Sequence, residues 1–155
     1  PHFSEHADDA THWPSTLMPP TQMHAYRRLH SVHTLDLTGL KKIQHVWALG
    51  GCVSLNLSAC KNISDVSALG GVKSLNLTGC NKIKDVSNLG RVHTLSLNCC
   101  SKVRDVAALK CVDTLDLTSC DNVRDISMLT QVRHLTLDSL TRVINNQGRP
   151  VTARL

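Results

Sequence analysis

The chain matches itself when it is shifted by twenty residues. Leu35, Leu55, Leu75, Leu95, Leu115 and Leu135 form one column, and Leu37, Leu57, Leu77, Leu97, Leu117 and Leu137 a second. Ile43, Ile63, Ile83, Val103, Val123 and Val143 form a third, and Leu49, Leu69, Leu89, Leu109 and Leu129 a fourth. A fixed period of this length is the signature of a solenoid. Each repeat is one short unit that cannot bury its apolar face alone, and stacking on its neighbours completes the core.

Within a repeat the chemistry changes in a set order. Apolar and polar residues alternate in Val72-Lys73-Ser74-Leu75-Asn76-Leu77-Thr78, which predicts a short strand with one buried face. A turn follows at Thr78-Gly79, and then come the Cys80 and Ile83 positions. Asp65, Asp85, Asp105 and Asp125 are aligned after these. An Asp before Val and Ser suits a cap on a single tight helical or 3₁₀ turn, its carboxylate accepting from the next backbone N–H groups. Gly50-Gly51 and Gly70-Gly71 return the chain to the next strand. They lack the strand–loop–helix setting of a phosphate loop.

Aromatic residues are only 3% of the 155-residue chain, so the core must come from Leu, Val, Ile, Ala and Cys. That composition suits narrow stacked coils better than a bulky globular centre. Seven cysteines are present, of which Cys60, Cys80, Cys100 and Cys120 share a column. Neighbouring parallel strands lie about 4.8 Å apart. In-register side chains at that spacing do not readily reach disulfide geometry. A spacing of twenty is also foreign to zinc sites, whose ligands pair two to four residues apart. Buried thiols packing as small hydrophobes are the expectation, which points to a reducing, intracellular compartment. The formal charge of +5 favours acidic partners or nucleic acid. No apolar run approaches the roughly 20 residues that span a bilayer. Pro1 is small enough to follow a trimmed initiator Met, so the start is consistent with a natural one or with a cut from a longer chain.

The arrangement over residues 32–143 resembles the leucine-rich repeat family. Its motif, Leu-x-x-Leu-x-Leu-x-x-Asn/Cys-x-x-Leu/Ile, is written here as Val72-x-x-Leu75-x-Leu77-x-x-Cys80-x-x-Ile83. The resemblance implies an α/β solenoid. Parallel strands of a right-handed leucine-rich-repeat coil would line a concave β-sheet, with short turns or 3₁₀ segments on the convex side. The Cys-type repeats look like those of ubiquitin-ligase substrate adaptors, and Asp-Val-Ser-x-Leu looks like the Asp-Ile-x-x-Leu ending of bacterial internalins. The repeats here are shorter than in either group.

Pattern breaks mark the ends. Residues 1–31 do not repeat, and are expected to cap the first coil through a helical stretch containing Met23, Tyr26 and Leu29. Trp47, where other copies have Ser or Ala, is expected to pack on that cap. The sixth copy has Leu140 in the Cys column, and residues 144–155 form a polar tail. These atypical ends look like attachment arms, which makes Trp13, Tyr26, Trp47, Leu140 and Arg149 candidate partner contacts.

Two further surfaces are candidates. Alternation directs Thr34, Asp36, Asn56, Asn76, Thr94, Asp116 and His134 to the concave face, a polar surface without Phe, Tyr or Trp. The turn after the Cys column carries a basic rim with Lys82, Lys84, Lys102, Arg104 and Arg124, expected to be partly offset by the adjacent Asp column. Sequons at Asn56, Asn62 and Asn76 are discounted because buried thiols argue against a secretory route. No column brings a nucleophile, a base and an orienting group together. No nucleotide, metal, cofactor or small-molecule signature is evident. The expected function is a non-catalytic protein-protein interaction or scaffold module, a small subunit of a larger assembly. The alternatives are a ubiquitin-ligase substrate-recognition module, and binding of RNA or another acidic surface through the rim.

Overall fold

Six three-residue strands follow from the alternating segments. They are β1 (Thr34–Asp36), β2 (Ser54–Asn56), β3 (Ser74–Asn76), β4 (Thr94–Ser96), β5 (Thr114–Asp116) and β6 (His134–Thr136). The computed structural model describes residues 33–138. All neighbouring strands are parallel, in the sheet order β1-β2-β3-β4-β5-β6. Leu35 pairs with Leu55, Leu55 with Leu75, Leu75 with Leu95, and so on, so the register equals the sequence period. The ladder continues past the strands: Leu57 N donates to Asn76 O at 2.8 Å, and Ala59 N to Thr78 O at 2.7 Å. One sheet built from sequential twenty-residue coils, with short 3₁₀ turns opposite, is a leucine-rich-repeat solenoid.

The apolar columns fill the space between sheet and turns. In the third copy Val72, Leu75, Leu77, Cys80, Ile83, Val86 and Leu89 are all buried. Burying a Leu or Ile contributes about 1.5–3 kcal/mol relative to leaving it exposed. In the outer coils Leu35, Leu37, Ile43, Ile126, Val132, Leu135 and Leu137 are only partly buried against that core. The 1–31 cap and the 144–155 tail lie outside the described residues.

Three expectations sharpen. First, the Cys column is more than small hydrophobic filling. Each thiol donates to a leucine carbonyl of the preceding coil: Cys60 to Leu37, Cys80 to Leu57, Cys100 to Leu77 and Cys120 to Leu97, at 3.0–3.2 Å. No disulfide links cysteines of the described residues. Burial pushes the Cys80 thiol up to about 11, and those of Cys100 and Cys120 to about 12.

Second, the aligned aspartates do not occupy the cap position itself. That place belongs to Val66, Val86 and Val106, which make no side-chain cap bond. Each Asp stands one residue earlier and accepts from the amide two residues on: Asp65 from Ser67, Asp85 from Ser87, Asp105 from Ala107 and Asp125 from Ser127, at 2.8–2.9 Å. This is an Asx turn, in which the side chain mimics a backbone turn. Bonds from the Ser67, Ser87 and Ser127 amides hold the Asp65, Asp85 and Asp125 carboxyls below their ordinary value.

Third, the glycines that close the coils are required by contact rather than by backbone conformation. Gly50 and Gly90 are in the ordinary right-handed region. A Cβ on Gly50, Gly70 or Gly90 would stand 2.2, 2.4 or 2.3 Å from the carbonyl oxygen of Ala68, Asn88 or Ala108 in the next coil. The left-handed position is the turn after the strand, where Gly39 and Gly79 share their conformation with Ala59, Cys99 and Ser119.

Gly70→Ala is expected to cost about 1–3 kcal/mol through overpacking. Gly39→Ala, at φ +72° with open space around it, is expected to cost about 1 kcal/mol from conformation alone. Urea unfolding of the two variants gives the order; an equal or reversed cost would contradict the contact account. The thiols make a second prediction. Their folded pKa is raised above the ordinary 9.0, so the folded state holds more protons than the unfolded one between pH 9 and 11–12. Their contribution is complete below pH 9 and is lost as pH rises through that window. Urea midpoints at about pH 8 and 10.5 should fall less in Cys100→Ala than in the parent chain. An unchanged fall would mean the thiol does not contribute.

Candidate interaction site

The parallel register assembles the sheet-face candidates into rows. Thr34, Thr94 and His134 share the first strand position with Ser54, Ser74 and Thr114. Asp36, Asn56, Asn76 and Asp116 share the third with Ser96 and Thr136. Thr34, Asp36, Thr94 and His134 are exposed, while Asn56, Asn76 and Asp116 are half-buried. The third-position side chains turn toward their own backbone. Asp36 accepts from Thr38 N, Asn56 from Ser58 N, Asn76 from Thr78 N and Asp116 from Thr118 N, at 2.9–3.0 Å.

Bonds also cross between coils. Asn56 Nδ2 donates to Asp36 Oδ2 at 3.2 Å, and the Thr38 and Ser58 hydroxyls lie 3.1 Å apart, as do those of Thr78 and Ser96. The hydroxyl and amide of Thr38 lower the Asp36 carboxyl below its ordinary value. The result is a face of small polar groups already held in place. At its last rung Asp138 replaces a backbone acceptor: its Oδ2 takes both the amide and the hydroxyl of Ser119, at 3.0 and 3.1 Å.

The basic rim is exposed at Lys82, Lys84, Lys102, Arg104 and Arg124. Lys82 Nζ donates to Asn62 Oδ1 at 2.7 Å. The expected offset by the Asp column does not occur as contact: among the described residues, no Asp of that column forms an ion pair with a rim cation. Those carboxylates fold back onto their own amides instead. Among the described residues Asp113 pairs with Arg133 Nε at 2.7 Å at the entry edge of the sheet, where it also lies 3.9 Å from His93 Nε2. Register arithmetic could have found this trio, because His93, Asp113 and Arg133 are twenty residues apart.

Trp47 opens the 3₁₀ turn Trp47–Leu49 and is partly buried. Trp13, Tyr26, Leu140 and Arg149 lie outside the described residues, so the end contacts are not brought together with it. Sequence reasoning missed a cleft of about 570 Å³ on the turn side of the fourth and fifth coils. Arg104 and Arg124 line it with Asp105, Asp125, Met128 and Leu129, among others. No group of three or more potential metal ligands occurs among the described residues. No helix among them is long and apolar enough to cross a membrane.

These features define the class as a leucine-rich-repeat solenoid with a polar sheet face and a basic rim. No protein-family model and no curated protein matches the chain. Solved structures of similar fold include an internalin, inlF, of Listeria monocytogenes, with 17% identity over 79% of this chain and 52% of that one, at a TM-score of 0.46. A second is internalin C2 of the same organism, with 20% identity over 68% and 60% and a TM-score of 0.39. A third is the functional domain of InlJ, also from Listeria monocytogenes, which includes a cysteine ladder; identity is 19% over 71% and 30%, with a TM-score of 0.40. The chain thus spans about half the length of the first of these structures.

Proposed function

We propose that the chain is a non-catalytic protein-interaction module, a small subunit of a larger assembly in a reducing, intracellular compartment. The supporting observation is the pre-formed sheet face. Its outward polar groups are fixed by bonds within and between coils, from Asp36 and Thr38 to Asn56 and Ser58. Groups ordered before binding lose little freedom on binding, so affinity can come from modest contacts. Small Thr, Ser and Asn side chains leave room for a partner's own bulky groups to approach the backbone.

A second reading is favoured by one observation. Lys84, Arg104 and Arg124 stack in one column as like charges with no ion pair among the described residues, a rim that would attract an acidic surface or RNA. Nothing in the described residues favours ubiquitin-ligase substrate recognition over a general interaction role.

Affinity purification with the parent chain and a Thr94→Arg variant, at moderate and high salt, tests both readings. Thr94 is exposed on the sheet face, so the substitution should block a partner there while leaving the fold intact. The module reading expects a partner retained at both salts and lost with the variant. Capture that disappears at high salt, and persists with the variant, supports the rim instead. No retained partner in any condition sinks the module reading.

A further inference from the structure

The glycine column that lets coils close on one another ends before the last coil. Gly50, Gly70 and Gly90 each accept the next coil's carbonyl where a Cβ would stand. The following member is Lys110. Lys110 carries a Cβ at the position where Gly50, Gly70 and Gly90 have none. The fifth coil, which carries Ile126 and Met128, differs from the others. Its turn keeps the bond from Leu129 N to Ile126 O at 2.9 Å, but Ile126 is only partly buried where Val66, Val86 and Val106 are buried, and Met128 is 51% exposed. The cleft of about 570 Å³ lies between the outer turns of the fourth and fifth coils.

Its walls combine two chemistries. Arg104 and Arg124 are successive members of one column, and among the described residues neither pairs with a carboxylate. Leu129 and the exposed Met128 supply apolar surface beside them. Asp105 and Asp125 spend Oδ1 on the amides of Ala107 and Ser127, which leaves Oδ2 to accept from a donor in the cleft.

We propose that this cleft docks an extended acidic segment of a partner protein. A partner carboxylate sits between Arg104 and Arg124, an adjacent apolar side chain rests on Met128 and Leu129, and the segment's backbone N–H groups donate to Asp105 and Asp125. A peptide fits this mixed wall better than a nucleic acid does. It offers isolated carboxylates and backbone donors, whereas a continuous phosphate chain would meet the two aspartates at close range. The inference rests on the interaction-module reading and adds to it a surface, a partner chemistry and a cause in the Gly-to-Lys break.

The test uses the full chain and a fluorescein-labelled peptide of alternating glutamate and leucine, followed by fluorescence anisotropy at roughly 0.15 M ionic strength. Saturable binding is expected, and it should be lost when glutamine replaces glutamate in the peptide. Arg104→Gln and Arg124→Gln should each weaken it by about tenfold, as expected for loss of a charge-assisted hydrogen bond. Lys110→Gly restores the repeat pattern and should abolish binding by closing the cleft, with circular dichroism confirming the fold. Lys82→Gln, whose ammonium is engaged by Asn62, should change affinity less than about twofold, because that rim charge is outside the cleft. Failure to saturate at millimolar peptide, equal binding by Lys110→Gly, or an effect of Lys82→Gln matching that of Arg124→Gln would each overturn the proposal. So would equal competition by an oligouridylate. A partner captured by the parent chain and unaffected by Arg124→Gln would sink the cleft alone and leave the module reading standing.

Discussion

Everything in this molecule depends on a backbone ladder whose register equals the sequence period. Each coil donates its amides to the next: Leu37 to Asn56, Leu57 to Asn76, Leu77 to Ser96, Leu97 to Asp116 and Leu117 to Thr136. Because the offset is constant, each apolar column meets itself on the neighbouring coil and the core becomes a repeated layer. The thiol-to-carbonyl bonds of the Cys column join the same neighbours beside the ladder, and the glycines let the next coil's carbonyl approach at the turns. The core is thus nearly one-dimensional. Burial is complete in the middle coils and partial at the first and last, as nearest-neighbour stacking requires.

Much of this was legible in the sequence because a period of twenty lets every column vote on its own orientation. Strands, the buried leucines, the inward Cys100 beside the exposed Cys99, and the polar sheet face all follow from alternation and repetition. What escaped was contact chemistry within a column. The glycines read only as the points where the chain returns to the next strand, and the carbonyl that approaches them was not legible. The aspartates read as turn caps accepting from nearby amides, and each carboxylate does accept from the amide two residues on, without pairing a rim cation among the described residues. Lys110 in a glycine column was a legible break in the pattern. It has meaning only once the glycine contact is known. Trp13, Tyr26, Leu140 and Arg149 fall outside the described residues, and the sheet-face and rim candidates are brought together as surfaces rather than as a defined pocket.

These contrasts bear on where specificity resides. Regular coils offer a repeated, low-relief surface in which a partner meets the same groups again every twenty residues. Relief appears where repetition fails: at Asp113, beside Arg133 and His93, at Asp138, which takes over a backbone acceptor, and at the cleft on the fourth and fifth coils. All three lie toward the sixth coil. The described relief therefore gathers toward that end of the array.

Native-state hydrogen exchange of the ladder amides Leu57, Leu77, Leu97 and Leu117 tests the central claim most directly. If register-locked stacking holds the coils as one unit, these amides will exchange with similar protection and the same steep dependence on denaturant. Protection that differs from coil to coil, with shallow and independent denaturant dependence, would mean that the coils stand alone and would contradict the account.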